Sequence, residues 1–348
     1  NWGTNGITID SNGLNYQSDD DTFTIEYGTD GMSLAITYMN ATQGWVPTID
    51  EAVADVPVAP SSNPTGIFGF GTTGSAVDES NLVSITGVVS ADVTGVGTDR
   101  WDLAACEYGE DKGIFGFGWT TSAVGMTNLV SNAGVVATDV TAVGTARYPP
   151  VGATYGGDKG IFWGGYTGTG DNLNTKNLVS NAGVVASDAA TSSPTATRAA
   201  AACEYSSNKD KAIFGFGYDG SSTVATSILV SNTGVVGADV AAVGTVRYSL
   251  AACDYGGDKG IFGFGAGTYS MTNLVSNTGV VATDTTGVGT GRRELGATQY
   301  GYDKGIFGFG NTGSVTGVTN LVSNTGVVAS DVSAVGTARR ALAACSYG

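Results

Sequence analysis

Histidine is absent from this chain of 348 residues. Without an imidazole, neither a Ser-His-Asp triad nor a Cys-His pair can form, so the enzymes that depend on them are excluded. The same absence excludes zinc sites with imidazole ligands and copper sites of the usual kind. We predict that the protein is not an enzyme and that it needs no cofactor or metal.

Charged residues are scarce, at 13% of the chain against about 25% in an average soluble domain. They comprise 15 basic and 31 acidic residues, which gives a net charge of −16. Binding of phosphates requires clustered Lys and Arg, so neither nucleic acid nor an anionic membrane surface is an expected partner. No apolar run approaches the roughly 18 residues of a membrane span, so we expect no membrane insertion. We interpret Asn1, in place of an initiator Met, as a processed terminus or the start of a fragment.

Glycine, by contrast, is abundant, with 55 residues, and much of it belongs to a repeated pattern. Each copy reads roughly D-K-G-I-F-G-F-G, a variable stretch, N-L-V-S-N-T-G-V-V-A-T-D-V, V-G-T-A-R and L-A-A-C-x-Y-G. A period of this length indicates a propeller or a solenoid. The Ile-Phe pair recurs at intervals of 45 to 52 residues, starting at Ile67, Ile114, Ile161, Ile213, Ile261 and Ile306.

Each copy divides into four short segments typical of strands. In the fifth copy these are Lys259–Phe264, Asn273–Ser276, Val280–Thr283 and a Leu-Ala-Ala-Cys segment, with a tight turn at Asn277-Thr278-Gly279. No segment carries a 3.6-residue apolar period over ten or more positions, so helix is not expected. Four strands in each of six copies predict an all-β fold, a six-bladed β-propeller over residues 61–348.

The ends of the repeat region predict that the C-terminal strand closes this propeller. The first copy begins at Gly66-Ile67-Phe68 without a Leu-Ala-Ala-Cys segment before it, and the last copy ends on that segment, at Leu342–Gly348. We therefore expect the C-terminal segment to pair with the Ile67-Phe68 strand, which would leave no open sheet edge.

The pattern over residues 62–348 resembles kelch repeats. An Arg precedes a small-residue strand, K-G-I-F-G-F-G stands in place of the family's hydrophobic strand ending in paired glycines, and a further hydrophobic strand and turn follow. A regular Trp near the end of each unit, which kelch repeats have, is missing. The pattern is more similar to the kelch-like repeats of bacteriophage structural and tail-fibre proteins, which share D-K-G-I-F-G-x-G and N-L-V-S-N-x-G-V-V. The resemblance implies a kelch-like propeller in a virion.

Residues 1–60 do not share the repeat. Gly6–Asp10 with Leu14–Gln17, and Thr22–Tyr27 with Met32–Tyr38, predict two hairpins, and Glu51–Pro60 is interpreted as a linker. This segment contains nine acidic residues and no basic one. We interpret it as a small β module that attaches the propeller to something else, and a divergent seventh blade is the alternative.

Residues that recur in every copy are interpreted as structural, because a catalytic group is normally unique. We expect each Asp to accept hydrogen bonds at a turn and each Arg to tie strand or blade ends together. The four cysteines share one repeat position, which Thr154 and Thr298 occupy elsewhere, so we expect free thiols in a small buried slot. The recurring residues are Asp92, Asp139, Asp188, Asp239, Asp284 and Asp331, Arg100, Arg147, Arg198, Arg247, Arg292 and Arg339, and Cys106, Cys203, Cys253 and Cys345.

Two sets of positions vary between copies: the stretch after each G-F-G and the residue after each repeat Arg. In a four-stranded blade both emerge on the same face, so we expect one varied face opposite a face of constant turns. Aromatic side chains in such loops stack on sugar rings or anchor a protein partner, and the alternative is that they only cover the blade ends. The candidate ligand-binding residues are Trp101, Trp119, Tyr148, Tyr166, Tyr218, Tyr248 and Tyr269.

These observations favour a non-enzymatic component of a phage virion, in a tail fibre or other surface appendage. The N-terminal module would bind other virion proteins in a homo-oligomeric assembly, and the propeller would bind a glycan or protein of the host surface. The alternative is a secreted or cell-surface carbohydrate-binding propeller. A glycosidase would need two carboxylates about 5–10 Å apart, and no unique acidic pair is distinct from the repeat.

Overall fold

The computed structural model describes residues 7–18, 25–27, 32–52, 65–191, 194–333 and 335–348. These residues form 24 strands, and none of them lies in a helix long enough to cross a membrane. The chain divides into two compact units, Asn1–Pro60 and Ser61–Gly348.

The first unit contains two antiparallel strand pairs: β1 (Ile7–Ile9) with β2 (Ile25–Tyr27), and β3 (Met32–Asn40) with β4 (Gly44–Ala52). Both hairpins predicted from the sequence were therefore wrong. The Asn12-Gly13 turn forms, but the chain beyond it runs beside Trp45, whose N–H donates to the Asn15 carbonyl at 2.9 Å.

The turn that makes the β3–β4 hairpin begins at Asn40, whose side-chain oxygen accepts hydrogen bonds from the N–H groups of Thr42 and Gln43. Such local side-chain caps stabilise a tight turn, and nothing in the strand pattern indicates them. The predicted linker lies mostly outside the described residues.

The second unit contains six antiparallel sheets, five of which are built from consecutive strands. Sheet 1 consists of β24 (Ala343–Tyr347), β5 (Thr65–Thr72) and β6 (Ala76–Val83); sheet 2 of β7 (Ala104–Tyr108), β8 (Lys112–Trp119) and β9 (Ala123–Val130); sheet 3 of β10 (Val151–Tyr155), β11 (Lys159–Trp163), β12 (Thr175–Val179) and β13 (Ala189–Ala190); sheet 4 of β14 (Ala201–Tyr205), β15 (Lys211–Tyr218), β16 (Thr223–Val230) and β17 (Val236–Val240); sheet 5 of β18 (Ala251–Tyr255), β19 (Lys259–Gly263) and β20 (Thr272–Val275); and sheet 6 of β21 (Gly296–Tyr300), β22 (Lys304–Gly308) and β23 (Thr319–Val322).

Sheet 1 joins the two ends of this unit. Its first strand is the C-terminal β24, which pairs with β5 in the register Cys345↔Ile67. The equivalent register, Cys106↔Ile114, joins β7 to β8 in sheet 2. The division of the first and last repeats thus predicted this pairing correctly, because each sheet uses one copy of every segment.

The third predicted segment, Val280–Thr283 in the fifth copy, lies at the outer edge of its sheet, and its equivalent is a strand only in sheet 4, as β17. In the other five sheets the chain after the turn pairs with the neighbouring strand at isolated positions, such as Val130↔Val136 and Val275↔Val281. The two-residue strand β13 of sheet 3 follows this segment. Here one Val points inward and the preceding one outward, as Val89 is 7% exposed and Val88 64%. Because only one side chain of this segment is buried, the segment pairs at a single position and does not continue as a strand.

The middle strand of each sheet is buried on both faces, because alternate side chains of a strand point to opposite sides. In sheet 2, Ile114 packs against sheet 3 while Phe115 packs against sheet 1, and both are fully buried. Six such clusters form, one between each sheet and the next, including one between sheet 6 and sheet 1. The first strands make contacts in the same cyclic order.

The four cysteines are free and buried, as their shared repeat position predicts. Each Sγ faces the glycine of a D-K-G-I-F segment in the next sheet; Cys106 faces Gly160 and Cys345 faces Gly113. A Cβ on these glycines would overlap the sulfur, so the slot admits only small residues on both sides.

Five of the six repeat arginines lie in the interfaces between sheets, with side chains 0% exposed. Each guanidinium stacks on a Phe ring of the preceding sheet, with its carbon 3.9 to 4.4 Å from the ring centroid. Arg147 also donates to Asn177 Oδ1 at 2.6 Å and lies 3.7 Å from the Asp188 carboxylate. The structural interpretation is confirmed for these five, which are Arg100, Arg147, Arg247, Arg292 and Arg339.

The repeat aspartates link consecutive repeats. Each accepts a hydrogen bond from a Thr hydroxyl of the preceding copy, and Thr337 of the last copy donates to Asp92 of the first at 2.7 Å. Burial alone would raise the pKa of Asp92, but the bonds from Thr337 and Asn81 and the charge of Arg339 outweigh it and lower that pKa. These carboxylates therefore stabilise the fold in their ionised form.

Candidate functional site

The two sets of positions that vary between copies, the residue after each repeat Arg and the stretch after each G-F-G, lie side by side. The position after the repeat Arg pairs with the position after G-F-G, as in Trp101↔Trp119 and Tyr148↔Tyr166. In sheets 1, 2 and 4 a bulge turns the middle strand just before this point, at a Phe such as Phe117, which has a φ of 63°. The guanidinium of the buried Arg covers this Phe ring, which holds an otherwise unfavourable conformation in place.

A cavity of about 580 Å³, here called the aromatic pocket, opens on this face. Its volume lies within the range of roughly 300–1,000 Å³ that is usual for small-molecule sites. Five of the seven candidate residues line it: Trp101, Tyr148, Tyr166, Tyr218 and Tyr248.

The aromatic rings form two groups, Trp101, Tyr148 and Tyr166 in one and Tyr218 and Tyr248 in the other, with the guanidinium of Arg198 between them. Trp101 and Tyr148 have centroids 6.5 Å apart, and Tyr148 and Tyr166 are 5.8 Å apart. Trp119 does not line the pocket, but its ring lies 4.4 Å from that of Tyr148 and supports it. Tyr269 is separate: its ring packs at Gly267 and is not part of the pocket lining.

Arg198 lies in the aromatic pocket, so the prediction that it links strand or blade ends like the other repeat arginines was wrong. Its guanidinium is 4.3 Å from the ring centroid of Tyr166 and 5.1 Å from that of Tyr218. It pairs with Tyr218 as Trp101 pairs with Trp119, which places it one residue later than the buried arginines. The reason lies in sheet 3, where Trp163 and Gly164 replace the usual Gly-Phe, so the Phe on which the Arg would stack is missing.

The rim of the aromatic pocket is formed by the next residue of each repeat, namely Asp102, Pro149, Ala199, Ser249, Glu294 and Ala341. Five of these have φ between 52° and 57°, and Pro149 cannot adopt such an angle. The rim residues are joined by backbone hydrogen bonds of 2.8 to 3.3 Å, each N–H donating to the carbonyl of the preceding repeat. Pro149 has no N–H, so the bond that would reach the Asp102 carbonyl is missing.

Two rim residues carry carboxyl groups, and their surroundings differ. Glu294 is paired with Arg340, with Nη1 to Oε2 at 2.5 Å, and lies 3.4 Å from Arg293 Nε. Asp102 makes no ion pair or side-chain hydrogen bond with any residue that the structure describes. Burial and the charge of Glu294 raise the pKa of Asp102 to about 7, against the opposing effect of Arg340.

Below the rim, two smaller cavities of about 130 and 50 Å³ continue between the first strands. The deeper one contains Glu107, Glu204 and Asp254 beside Lys209, whose Nζ donates to Gln299 Oε1 at 2.7 Å. Burial raises the pKa of Asp254 to about 7 and raises that of Glu204 well above its ordinary value. Among the described residues no group of acidic, Cys or His side chains has an arrangement that could hold a metal ion.

Sequence reasoning missed four charged residues of the aromatic pocket: Asp102, Arg198, Glu294 and Arg340. A usable signal existed, since the rim position carries Asp or Glu in only two repeats, in contrast to the recurring Asp series. The missed shift of Arg198 is visible in the sequence, because four residues separate it from the repeat Cys where the other cysteine copies have five.

The constant turns also lie together, as expected for the opposite face. In sheets 2, 3, 5 and 6 the Asn of the Ser-Asn turn donates to the Asp of the D-K-G segment, as in Asn132 to Asp111 at 3.1 Å. No family model matches the chain, and no curated protein is significantly similar to it.

Proposed function

We propose that the six sheets are the blades of a kelch-like β-propeller closed by the C-terminal strand, and that the aromatic pocket at its varied face binds a ligand. The cyclic packing of the six sheets and the β24–β5 pairing support the architecture. The three cavities along the first strands are consistent with a central channel whose mouth is the rim.

The observation that carries a binding function is the convergence of five aromatic side chains from neighbouring repeats on one pocket. The scaffold does not require them, because the equivalent positions in other repeats hold Thr72, Ala266, Asn311, Arg293 and Arg340. Exposed aromatic groups in a concave site stack on sugar rings or anchor a protein chain.

In this proposal the protein is a non-enzymatic component of a phage tail fibre or other virion appendage, and the ligand is a glycan of the host surface. The virion location rests on the sequence resemblance of the repeats. The N-terminal unit, whose sequence carries acidic and no basic residues, joins the propeller to other virion proteins. A secreted carbohydrate-binding propeller would use the same pocket, and mass spectrometry of purified virions separates the two locations.

The binding function is tested with the double variant Trp101→Ala, Tyr148→Ala on a glycan array and on host cells. We expect each truncation to weaken binding by about 1–3 kcal/mol while the melting temperature stays within a few degrees of wild type. The matched control is Tyr269→Ala, which removes an aromatic group from an equivalent loop outside the aromatic pocket. Unchanged binding by a folded double variant would exclude this pocket as the site.

A further inference from the structure

We propose that the ligand of the aromatic pocket carries a positively charged ammonium group, which binds to the carboxylate and main-chain carbonyl of Asp102. This inference rests on the proposed binding function and specifies the chemistry of its ligand. Two sources share that chemistry, a sugar with a free amine and a choline-type group, and the experiment below distinguishes them.

The first argument is the charge balance of the pocket. Its four charged residues are Asp102, Arg198, Glu294 and Arg340. Glu294 neutralises Arg340, and the guanidinium of Arg198 is held between the rings of Tyr166 and Tyr218. Among the described residues neither Asp102 nor Arg198 forms an ion pair, and only Arg198 is engaged by neighbouring rings. A carboxylate in a concave, largely apolar site is unfavourable unless a counter-charge joins it.

The second argument is the break in the rim. Every other rim carbonyl accepts a hydrogen bond from the next repeat, but Pro149 has no N–H to donate to the carbonyl of Asp102. The carbonyl and the carboxylate of the same residue therefore both offer acceptors at one point of the rim. A primary ammonium group supplies only donors, so it matches this pair of acceptors, whereas a quaternary ammonium has no N–H and would interact with them through its charge alone.

The third argument is the wall beside Asp102. Trp101 precedes it in the chain and Tyr148 lies next to Trp101, with both rings lining the pocket. Aromatic faces attract cations and cover the carbon atoms attached to them. A ligand with an ammonium group next to a ring or methyl groups would contact both kinds of surface.

An anionic ligand fits this pocket less well. Both cationic side chains are already engaged, and an anion near Asp102 and Glu294 would be repelled by them. The groups that face Asp102 are Glu294, Arg340 and the Tyr148 hydroxyl.

The test measures binding by isothermal titration calorimetry on the full chain. The probes are the tetramer of β-1,4-linked glucosamine, its fully N-acetylated counterpart, and choline. We expect the glucosamine tetramer to bind at least about tenfold more tightly than the acetylated one, which has the same rings without the charge. Choline binding as tightly as the tetramer would identify a quaternary ammonium source, and weaker choline binding would identify an amino sugar.

The pH dependence of choline binding has a fixed sign, because choline does not titrate. Asp102 must be ionised to bind it, and its pKa of about 7 means that affinity should rise about tenfold between pH 6 and pH 8. If Asp102 instead bound its ligand in the protonated form, as a hydrogen-bond donor, affinity would fall between pH 6 and pH 8.

The variant Asp102→Asn keeps the shape and removes the charge, so it should lose the preference for the charged probes and the pH dependence. Asp219→Asn is the matched control, since it removes a carboxylate of a neighbouring loop that is hydrogen-bonded within its own turn. Absence of wild-type binding to both charged probes, or equal binding of the charged and acetylated tetramers, would overturn the inference. If the acetylated tetramer binds and the Trp101→Ala, Tyr148→Ala variant loses it, the proposed binding function stands and only the ammonium inference fails.

Discussion

Replacing Arg147 with Ala is expected to destabilise the second unit by about 3–5 kcal/mol, the usual loss when one partner of a buried pair is removed. The same replacement of Arg198 should cost less than about 1 kcal/mol, typical of an exposed cation–aromatic contact. Both residues belong to the Arg series that recurs in the sequence, but Arg198 lies one position later in its repeat, so the comparison tests whether that shift removes the anchoring role.

The expected loss at Arg147 follows from its contacts. The side chain donates to Asn177 at 2.6 Å and to the Thr145 carbonyl at 3.1 Å, and bonds of charged groups contribute about 1.5–3 kcal/mol each. The guanidinium lies 3.9 Å from the Phe117 centroid, which adds about 2 kcal/mol for a desolvated pair.

The burial of this charge opposes these gains. Desolvation lowers the pKa of Arg147 to about 10, which corresponds to roughly 3 kcal/mol against the charged form. The hydrogen bonds and the ring contact of Arg147 together outweigh this desolvation cost. Replacement with Ala would also leave a cavity. Arg198 is only half-buried and contacts two Tyr rings, so water replaces it at little cost.

The assay is urea unfolding followed by Trp fluorescence and circular dichroism at one pH, for the wild type and both variants. Equal slopes against denaturant concentration would allow the free energies of unfolding to be compared directly. Similar losses for the two variants, or a loss below about 1 kcal/mol at Arg147, would refute the assignment of Arg147 to a buried anchoring role.

Three further outcomes are expected. Deleting residues 341–348 removes β24 and exposes the edge of β5, so aggregation or a large fall in melting temperature should follow, and a truncated chain as stable as the full one would contradict the β24–β5 pairing. Alkylation under denaturing, non-reducing conditions should modify all four cysteines, whereas the native protein should react slowly because burial raises their pKa, and a mass showing two modifications would indicate a disulfide. Because the pKa of Asp102 and of Asp254 is raised to about 7, the stability of the protein should fall as pH rises from about 4 to 7, whereas the lowered pKa of the repeat aspartates means that stability is lost below about pH 4. The melting temperature should therefore be higher at pH 5 than at pH 8. The reverse order would show that Asp102 and Asp254 ionise in the folded protein at no cost.

The repeat made several features of the fold predictable. Because six copies carry the same strand segments, the assignment of β7, β8 and β9 extends to their equivalents, and the missing first strand of sheet 1 could only come from the C-terminus. The N-terminal unit lacks such redundancy. Its strand pairing depended on the Asn40 turn and on the contact of Trp45 with the segment after Asn12, and both hairpins predicted there were wrong.

The sequence by itself also determined which residues belong to the scaffold. Recurrence at one position identified the buried arginines, the hydrogen-bonded aspartates and the cysteine slot, because each interface between neighbouring sheets imposes the same steric and electrostatic demands. Variation between copies identified the aromatic residues of the varied face, five of which line one pocket.

Only the tertiary structure decided how the varied residues combine. Arg198 is not buried between sheets, because sheet 3 lacks the Phe on which its guanidinium would stack. That contact would join segments some 30 residues apart in the sequence. Asp102 and Glu294 are more than 190 residues apart, yet they lie on one rim, where Arg340 forms an ion pair with Glu294 and not with Asp102. Charge balance and desolvation depend on neighbours in space, so the sequence order of these residues could not reveal them.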